Sequence, residues 1–499
     1  MAKFKSSNPE QGQMIPMYLS DWIPEQHLVY IVSDIVDQLD LSVLTSQYTE
    51  QGEEAYHPAL LLKILFYGYA TGVFSSRKLR EALDDNVPFR WLSGGLRPDH
   101  RTISDFRKNN LKTLARLFTQ IVQIGQQLGY ASLGHVSIDG SKIKANASKH
   151  KAMSRERMKQ EIVRLEQEIR ETLEKAQAQE KQGDEEPSLL FPTATQEAVW
   201  ERSSRLQTIQ AALKQLEEQK PEKNSKRPAK DQINFTDADS RIMDTKTQGV
   251  IQGYNPQIAV EQTHGIIVGL QMSHSSSDQK QFAGVLRSIK ETTGQLPEIV
   301  TADAGYFSAE NIQAAETHQV DAYIAASREA KEGKNPYDKT NFTYDPETDT
   351  YRCPAGKTVS LQHVQYADNP EKTTKWIYEC QECLGCDFRE NCVKSKTGKR
   401  TISRTEADPI RESMRTKVQS AAGKEIYRLR KGIVEPAWGQ IKACQGFRQF
   451  LLRGEEKVGG EFTLVCIAHN LRKIHSATYP KPSTLYKRKK SAQKRKLAA

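Results

Sequence analysis

The sequence predicts an α/β chain in which a helical N-terminal domain precedes a mixed sheet carrying two insertions. Three observations lead there. Apolar residues recur at helical spacing over about the first 130 positions. Two β-branched apolar runs, Val136–Asp139 and Val300–Asp303, each end on an aspartate, the place where a strand delivers a side chain to a site. Two stretches of different character interrupt the strand signals: a polar helical one over 153–230 and a cysteine-rich one over 327–400.

Within residues 1–130, Leu111, Leu114, Leu117, Phe118, Ile121, Val122 and Leu128 form a helical stripe, with Thr102–Asp105 offering capping side chains ahead of it. Upstream, Ser75–Leu83 reads as a short capped helix whose exposed side is basic through Arg77, Lys78 and Arg80; Arg101 adds a further cation. Basic residues on a helix are most often its solvated face, so these four are only candidates for DNA contact. The stripes Ile162, Leu165, Ile169, Leu173 and Leu206, Ile209, Leu213, Leu216, separated by Pro187 and Pro192, predict a helical hairpin or short coiled coil.

Strands resume with Ile258–Val260 and Ile266–Val268, turning at His264-Gly265. A helix follows through Phe282, Val285, Leu286 and Ile289; Asp278 ahead of it reads as a helix-start acid and is left outside the site. Pro297–Ala302 predicts the strand that carries Asp303, a helix begins at Ser308, and Asp321–Ala325 predicts another strand. Strand with Asp, hairpin, helix, strand with Asp, helix, strand, and a later helix with Glu435 is the order of a ribonuclease H-like core. The domains expected are therefore 1–130 helical, 131–152 with 231–326 as the first part of the core, 153–230 the hairpin insertion, 327–400 the Cys-rich insertion, 401–478 the rest of the core and 479–499 a basic tail. Pro436 cannot donate a backbone hydrogen bond, so the last core helix is expected to start or kink within a turn of Glu435, with Tyr427 and Arg430 on a separate preceding turn. Seven steps of about 100° bring Lys442 back to the azimuth of Glu435.

The chain has 499 residues and a formal charge of +10, enough for two to four domains and in keeping with a polyanionic partner. Eight Lys or Arg and no acid lie between Lys481 and Ala499, a tail that reads either as a solubilising end or as a phosphate-backbone contact. The apolar stretch Ala59–Phe66 is short and broken by Lys63, and the N-terminal residues lack the apolar core of a signal peptide, so a cytoplasmic protein is expected.

Two strand-end carboxylates and one helix carboxylate are the donors of a two-metal phosphoryl-transfer site, in which Mg²⁺ (or Mn²⁺) ions roughly 3.5–4 Å apart clamp attacking and leaving oxygens. Five of seven cysteines fall in 353–392, as Cys353-Pro354 and then Cys380-x2-Cys383-x2-Cys386-x5-Cys392. In a reducing compartment such clustering points to zinc; an iron–sulfur cluster and free structural thiols are the alternatives. Cys444 and Cys466 read as core.

The blocks from His57 to Lys108, SIDGSKIKANASKHK, IQGYNPQIAVEQ, TADAGYFS and YRLRKGIVEPAWGQIK resemble the DDE transposases of bacterial insertion sequences, the group with a Tyr-Arg-Glu-Lys signature. The resemblance implies Asp139, Asp303 and Glu435 as the metal-binding triad, with Tyr427, Arg430 and Lys442 on phosphates. Three residues are expected between the Arg and the Glu; four follow Arg430 and three follow Lys431, so either takes the basic role. The resemblance also implies Cys353, Cys383, Cys386 and Cys392 as the zinc set with Cys380 spare, terminal inverted repeats and target DNA as partners, and a homo-oligomer on DNA ends. The other readings of the same residues are a non-catalytic DNA-binding protein, or a nuclease of the same fold that cuts without joining.

Overall fold

The computed structural model describes residues 18–48, 54–182, 193–218, 231–245, 248–326, 337–367, 373–393, 395 and 398–480. The basic run 481–499 and the prolines 187 and 192 lie outside them. Two compact units form: one from residues up to 131 with 439–447 and 459–499, the other from 132–438 with 448–458.

The first unit is helical. Pro58–Thr71, apolar and buried on nearly every side, starts with Pro58 in its first turn, where no backbone donor is lost, and with His57 Nδ1 accepting from Ala59 N. Gly72 ends it in the left-handed region, φ 84°, where a Cβ would also come within 2.8 Å of the Gln445 carbonyl. Gly68 has no side chain to collide with Leu79, so the Ser76–Asp85 helix packs closely. Thr102–Asp105 do not cap the Leu111–Gln127 helix: they lie inside a separate helix, His100–Asn109, whose cap is Asp99 accepting from Arg101 N. Ser75 stands at the cap position of Ser76–Asp85 but makes no side-chain cap bond.

Much of the Glu455–Thr478 helix belongs to this unit, which divides the segment 401–478 expected to complete the core. The reason is a buried polar bridge and close packing: Tyr69 Oη reaches Glu461 while accepting from Arg107, Arg472 donates to the Ala70 carbonyl, and Gly460 lies against Leu111.

The second unit is built on a five-stranded sheet. Its strands are β1 (His135–Gly140), β2 (Gln257–Glu261), β3 (Ile267–Gln271), β4 (Ile299–Ala302) and β5 (Asp321–Ile324), in the order β5-β4-β1-β2-β3. β1 is antiparallel to β2 and parallel to β4; β4 and β5 are parallel. This is the order expected of a ribonuclease H-like core. The β2–β3 hairpin turns at Gly265, φ 76°, and the buried Glu261 carboxylate accepts from the backbone of Thr263, His264 and Ile266. Those bonds satisfy donors the turn would otherwise leave unpaired.

Two long helices, Arg155–Gln182 and Thr193–Glu218, pair along Met158, Leu165, Ile209 and Leu216. A second five-stranded sheet, an antiparallel meander from Thr343–Asp345 to Thr401–Thr405, packs Tyr351, Val359, Tyr378 and Ile402 in a core of its own. Finally, Ala421–Gly439 is one helix with Pro436 inside it, so it does not start near Glu435, and Tyr427 and Arg430 share it with Glu435. An interior proline costs about 3 kcal/mol, and the buried Ile433, Val434, Ala437 and Trp438 around it supply the offsetting contacts.

Candidate active site

Ile138 on β1 pairs with Ala302 on β4, so the next residue on each of two neighbouring parallel strands is an acid, Asp139 and Asp303. Adjacent strands are about 4.8 Å apart, which is how the fold joins residues distant in sequence. Asp303 also accepts from Gly305 N at 2.8 Å, opening a single 3-10 turn that aims the chain away from the sheet. Burial, then the neighbouring charge of Asp303, push the Asp139 carboxyl up to about 7; Arg430 opposes the rise and Asp278 adds to it.

Arg430 comes from the Ala421–Gly439 helix. It is only 8% exposed, and its Nη1 stands 3.9 Å from Asp139 Oδ1. Among the described residues neither Nε nor Nη1 makes a hydrogen bond, although the side chain also bonds to Tyr427. Tyr427, one turn earlier, is half-buried; burial raises its hydroxyl, Arg430 opposes this, and Asp303 and Asp139 act on it as well. Of the two candidate cations, then, Arg430 faces the aspartates and Lys431 is exposed.

Glu435 lies on the same helix, exposed, and five residues of helix rotate it about 140° from Arg430. Lys442 belongs to the other unit, in the π-helical stretch Gln440–Cys444, where the 100° step that aligned it with Glu435 does not apply.

Asp278 is the acid that the sequence reading passed over. The helix it was assigned to begins only at Phe282, with Gln281 as its cap residue, so Asp278 lies in the preceding loop. There its Oδ1 accepts from Asn255 Nδ2 at 2.8 Å and Gln257 Nε2 at 2.9 Å. Tyr306 is fully buried and donates to Gln257 Oε1; burial, then Asp278, Asp139 and Asp303, raise its hydroxyl well above the usual range. A serine-rich loop acid offers no spacing signal, and only the sheet reveals its direction.

The five clustered cysteines line one small cavity, about 20 Å³, together with Arg400. Gly356, φ 76°, closes a turn in which Gly356 N donates to the Cys353 carbonyl and Lys357 N to Cys353 Sγ at 3.2 Å. Cys386 N donates to the Cys383 carbonyl, and Arg400 N to Cys383 Sγ at 3.4 Å. Burial pushes the Cys380 thiol up to about 11. Cys392 is raised by burial, eased by Arg400, and feels Cys383, Cys353 and Cys386. All seven cysteines are free; Cys466 is core as expected, whereas Cys444 is exposed. Among the described residues, no group of three or more His, Cys, Asp or Glu stands in metal-holding geometry.

Of the N-terminal cations, Arg77, Lys78 and Arg101 are exposed, whereas Arg80 is paired with Asp84, which also takes Arg97. No single described helix is long and apolar enough to cross a membrane.

Two family models match the chain. A transposase DDE domain covers residues 352–475, and a transposase domain, DUF772, covers 17–109. No curated protein matches. Asp139 and Asp303 fall between the two matched segments, and their place on neighbouring strands is read from the fold. The chain is thus similar to transposases in both its N-terminal and its C-terminal portions.

Proposed function

We propose that this chain is a transposase that cuts DNA at the ends of its element and joins the freed 3′ ends to target DNA, with Asp139 and Asp303 at the reacting phosphodiester. One observation carries this reading: two acids on adjacent strand ends face a buried arginine whose Nε and Nη1 have no hydrogen-bond partner. Buried N–H groups are rarely left unpaired, and a phosphate oxygen is the acceptor a guanidinium suits best.

Divalent metal ions fit the donors. Carboxylate oxygens are hard ligands of the kind Mg²⁺ and Mn²⁺ take, and the crowding that raises Asp139 is relieved by a cation. Such ions, when bound, lower the pKa of an attacking oxygen and stabilise a leaving one. The chain's own residues do the rest: Asp139 and Asp303 would hold the ions, Arg430 would orient the phosphate, and Tyr427 would pack beside it. Glu435 enters as third acid on the family resemblance alone, and Lys442 and Lys431 as supporting cations. Arg77, Lys78 and Arg101 would contact the terminal repeats, with Arg80 a weaker candidate because of Asp84. The setting would be the bacterial cytoplasm, with copies of the chain assembling on paired DNA ends.

The test uses duplexes carrying the inverted repeats that flank the gene. Mg²⁺-dependent nicking at the repeat ends followed by joining to a second duplex supports the reading; nicking without joining selects a nuclease, and binding without nicking selects a DNA-binding protein.

For the thiol pocket we propose structural zinc held by Cys353, Cys383, Cys386 and Cys392. Support comes from the convergence of these thiols on one small cavity, where Lys357 N and Arg400 N donate to Cys353 Sγ and Cys383 Sγ. Arg400 would offset part of the excess negative charge of four thiolates around one Zn²⁺.

A further inference from the structure

The loop that follows β3 places Asp278 where neither its sequence context nor the family signature puts an acid. Two glycines make the room for it. A Cβ on Gly140 would lie 2.7 Å from Asp278 Oδ1 and closer still to the Gln257 amide; a Cβ on Gly305 would lie 3.0 Å from both Asp278 Oδ2 and Asp303 Oδ1. Neither glycine has a positive φ, so the backbone does not require glycine at either position; the clearance does. The Gly305 distances also bound the gap, putting Asp278 Oδ2 within about 6 Å of Asp303 Oδ1.

The side chain is anchored at one oxygen only. Asn255 and Gln257 both donate to Oδ1, and Gln257 is itself held by Tyr306, while Oδ2 accepts no hydrogen bond among the described residues. A carboxylate with one oxygen clamped and the other open toward a second carboxylate is oriented for a cation, since two anionic oxygens turned toward one another otherwise repel. The buried, unpartnered Nε and Nη1 of Arg430 point independently to a ligand at the same place.

We infer that Asp278 is a third carboxylate ligand for the divalent cation of Asp139 and Asp303, with Asn255 and Gln257 as its positioning residues. The inference rests on the metal-dependent reading of the site. It gives the core an acid from the loop after β3. Since no three acids yet stand at ligand spacing, coordination requires the Asp278 side chain to swing its Oδ2 inward, a rotation that the clamp at Oδ1 limits but does not forbid.

The experiment is Mn²⁺ binding to the full chain without DNA, followed by calorimetric titration and by the paramagnetic resonance of free Mn²⁺. Asp278→Asn keeps an acceptor for Asn255 and Gln257 and should weaken Mn²⁺ by about tenfold or more, as Asp139→Asn should. Wild-type affinity in Asp278→Asn with a loss in Asp139→Asn overturns the role of Asp278 and leaves the site standing. Wild-type affinity in both overturns the metal reading itself. Should Asp278→Asn melt well below wild type, anomalous scattering from Mn²⁺ in crystals of the unaltered chain decides: Asp278 in the coordination shell supports the inference, and a shell without it overturns it.

Discussion

The aspartate site and the thiol pocket occupy two different sheets and were assembled by opposite routes. The pocket draws on about forty consecutive residues, whose short turns carry the sulfurs; the site draws on β1, β4, the loop after β3 and a helix near residue 430. Its donors are hard and charged, and their mutual repulsion is visible in the raised carboxyl of Asp139. The pocket's donors are soft, and burial drives Cys380 and Cys392 toward the neutral thiol. The contrast teaches that a local cluster advertises itself through spacing, whereas a dispersed one exists only once strand register is fixed. The two proposals differ accordingly: a catalytic metal for the aspartates and a structural one for the thiols.

The sharpest way to break that division is to remove an aspartate. Asp139→Asn or Asp303→Asn should lower strand cleavage by orders of magnitude while leaving repeat-end binding nearly intact; gel assays of cutting and of binding read the two separately. Substantial Mg²⁺-dependent cutting by either variant would remove the catalytic half of the comparison. Next in size is Arg430. Its replacement by Lys loses the fork that meets a phosphate and should reduce turnover by roughly 10–100-fold, against less than about twofold for exposed Lys431→Ala. Equal losses at the two positions would show that burial does not select between them.

For the pocket, Cys383→Ser should abolish stoichiometric zinc in elemental analysis and lower the melting temperature by several degrees, roughly the 2–4 °C per kcal/mol typical of larger domains. Cys380→Ser should keep the metal. A metal-free, fully folded wild type would reduce the pocket to a cluster of core thiols. The smallest effect is expected from deleting residues after Pro480. Each lost phosphate contact flattens the slope of log K against log salt by about 0.9 on duplex DNA, and an unchanged slope would mark the tail as a solvated end.

Much of the sheet was legible in the sequence because its signals are local. Asp139 and Asp303 end apolar runs, and His264-Gly265 marks a turn the structure keeps. Three features were not legible, for three physical reasons. Asp278 sits in a serine-rich stretch where helix capping is the commonest use of an acid, and its actual partners are Gln257, which opens β2, and Asn255 in the turn just before it. Pro436 predicts a helix break from backbone chemistry alone, yet tertiary burial of its neighbours carries the helix through. The Glu455–Thr478 helix is apolar enough for either unit, and nothing in its own residues says that Leu111 and Tyr69 will be among its neighbours.

That last helix bears on how the chain is made. Leu111, Tyr69 and Ala70 are translated early, but Gly460, Glu461 and Arg472, which meet them, leave the ribosome much later. At about 5–20 residues per second, roughly 350 residues of synthesis separate the two, a delay of roughly 20–70 s. For that interval the N-terminal helices have an apolar groove with no native occupant, so a nascent or prematurely terminated chain offers chaperones and proteases a surface that the finished protein conceals. Completion of the unit is thereby tied to synthesis of this one late helix.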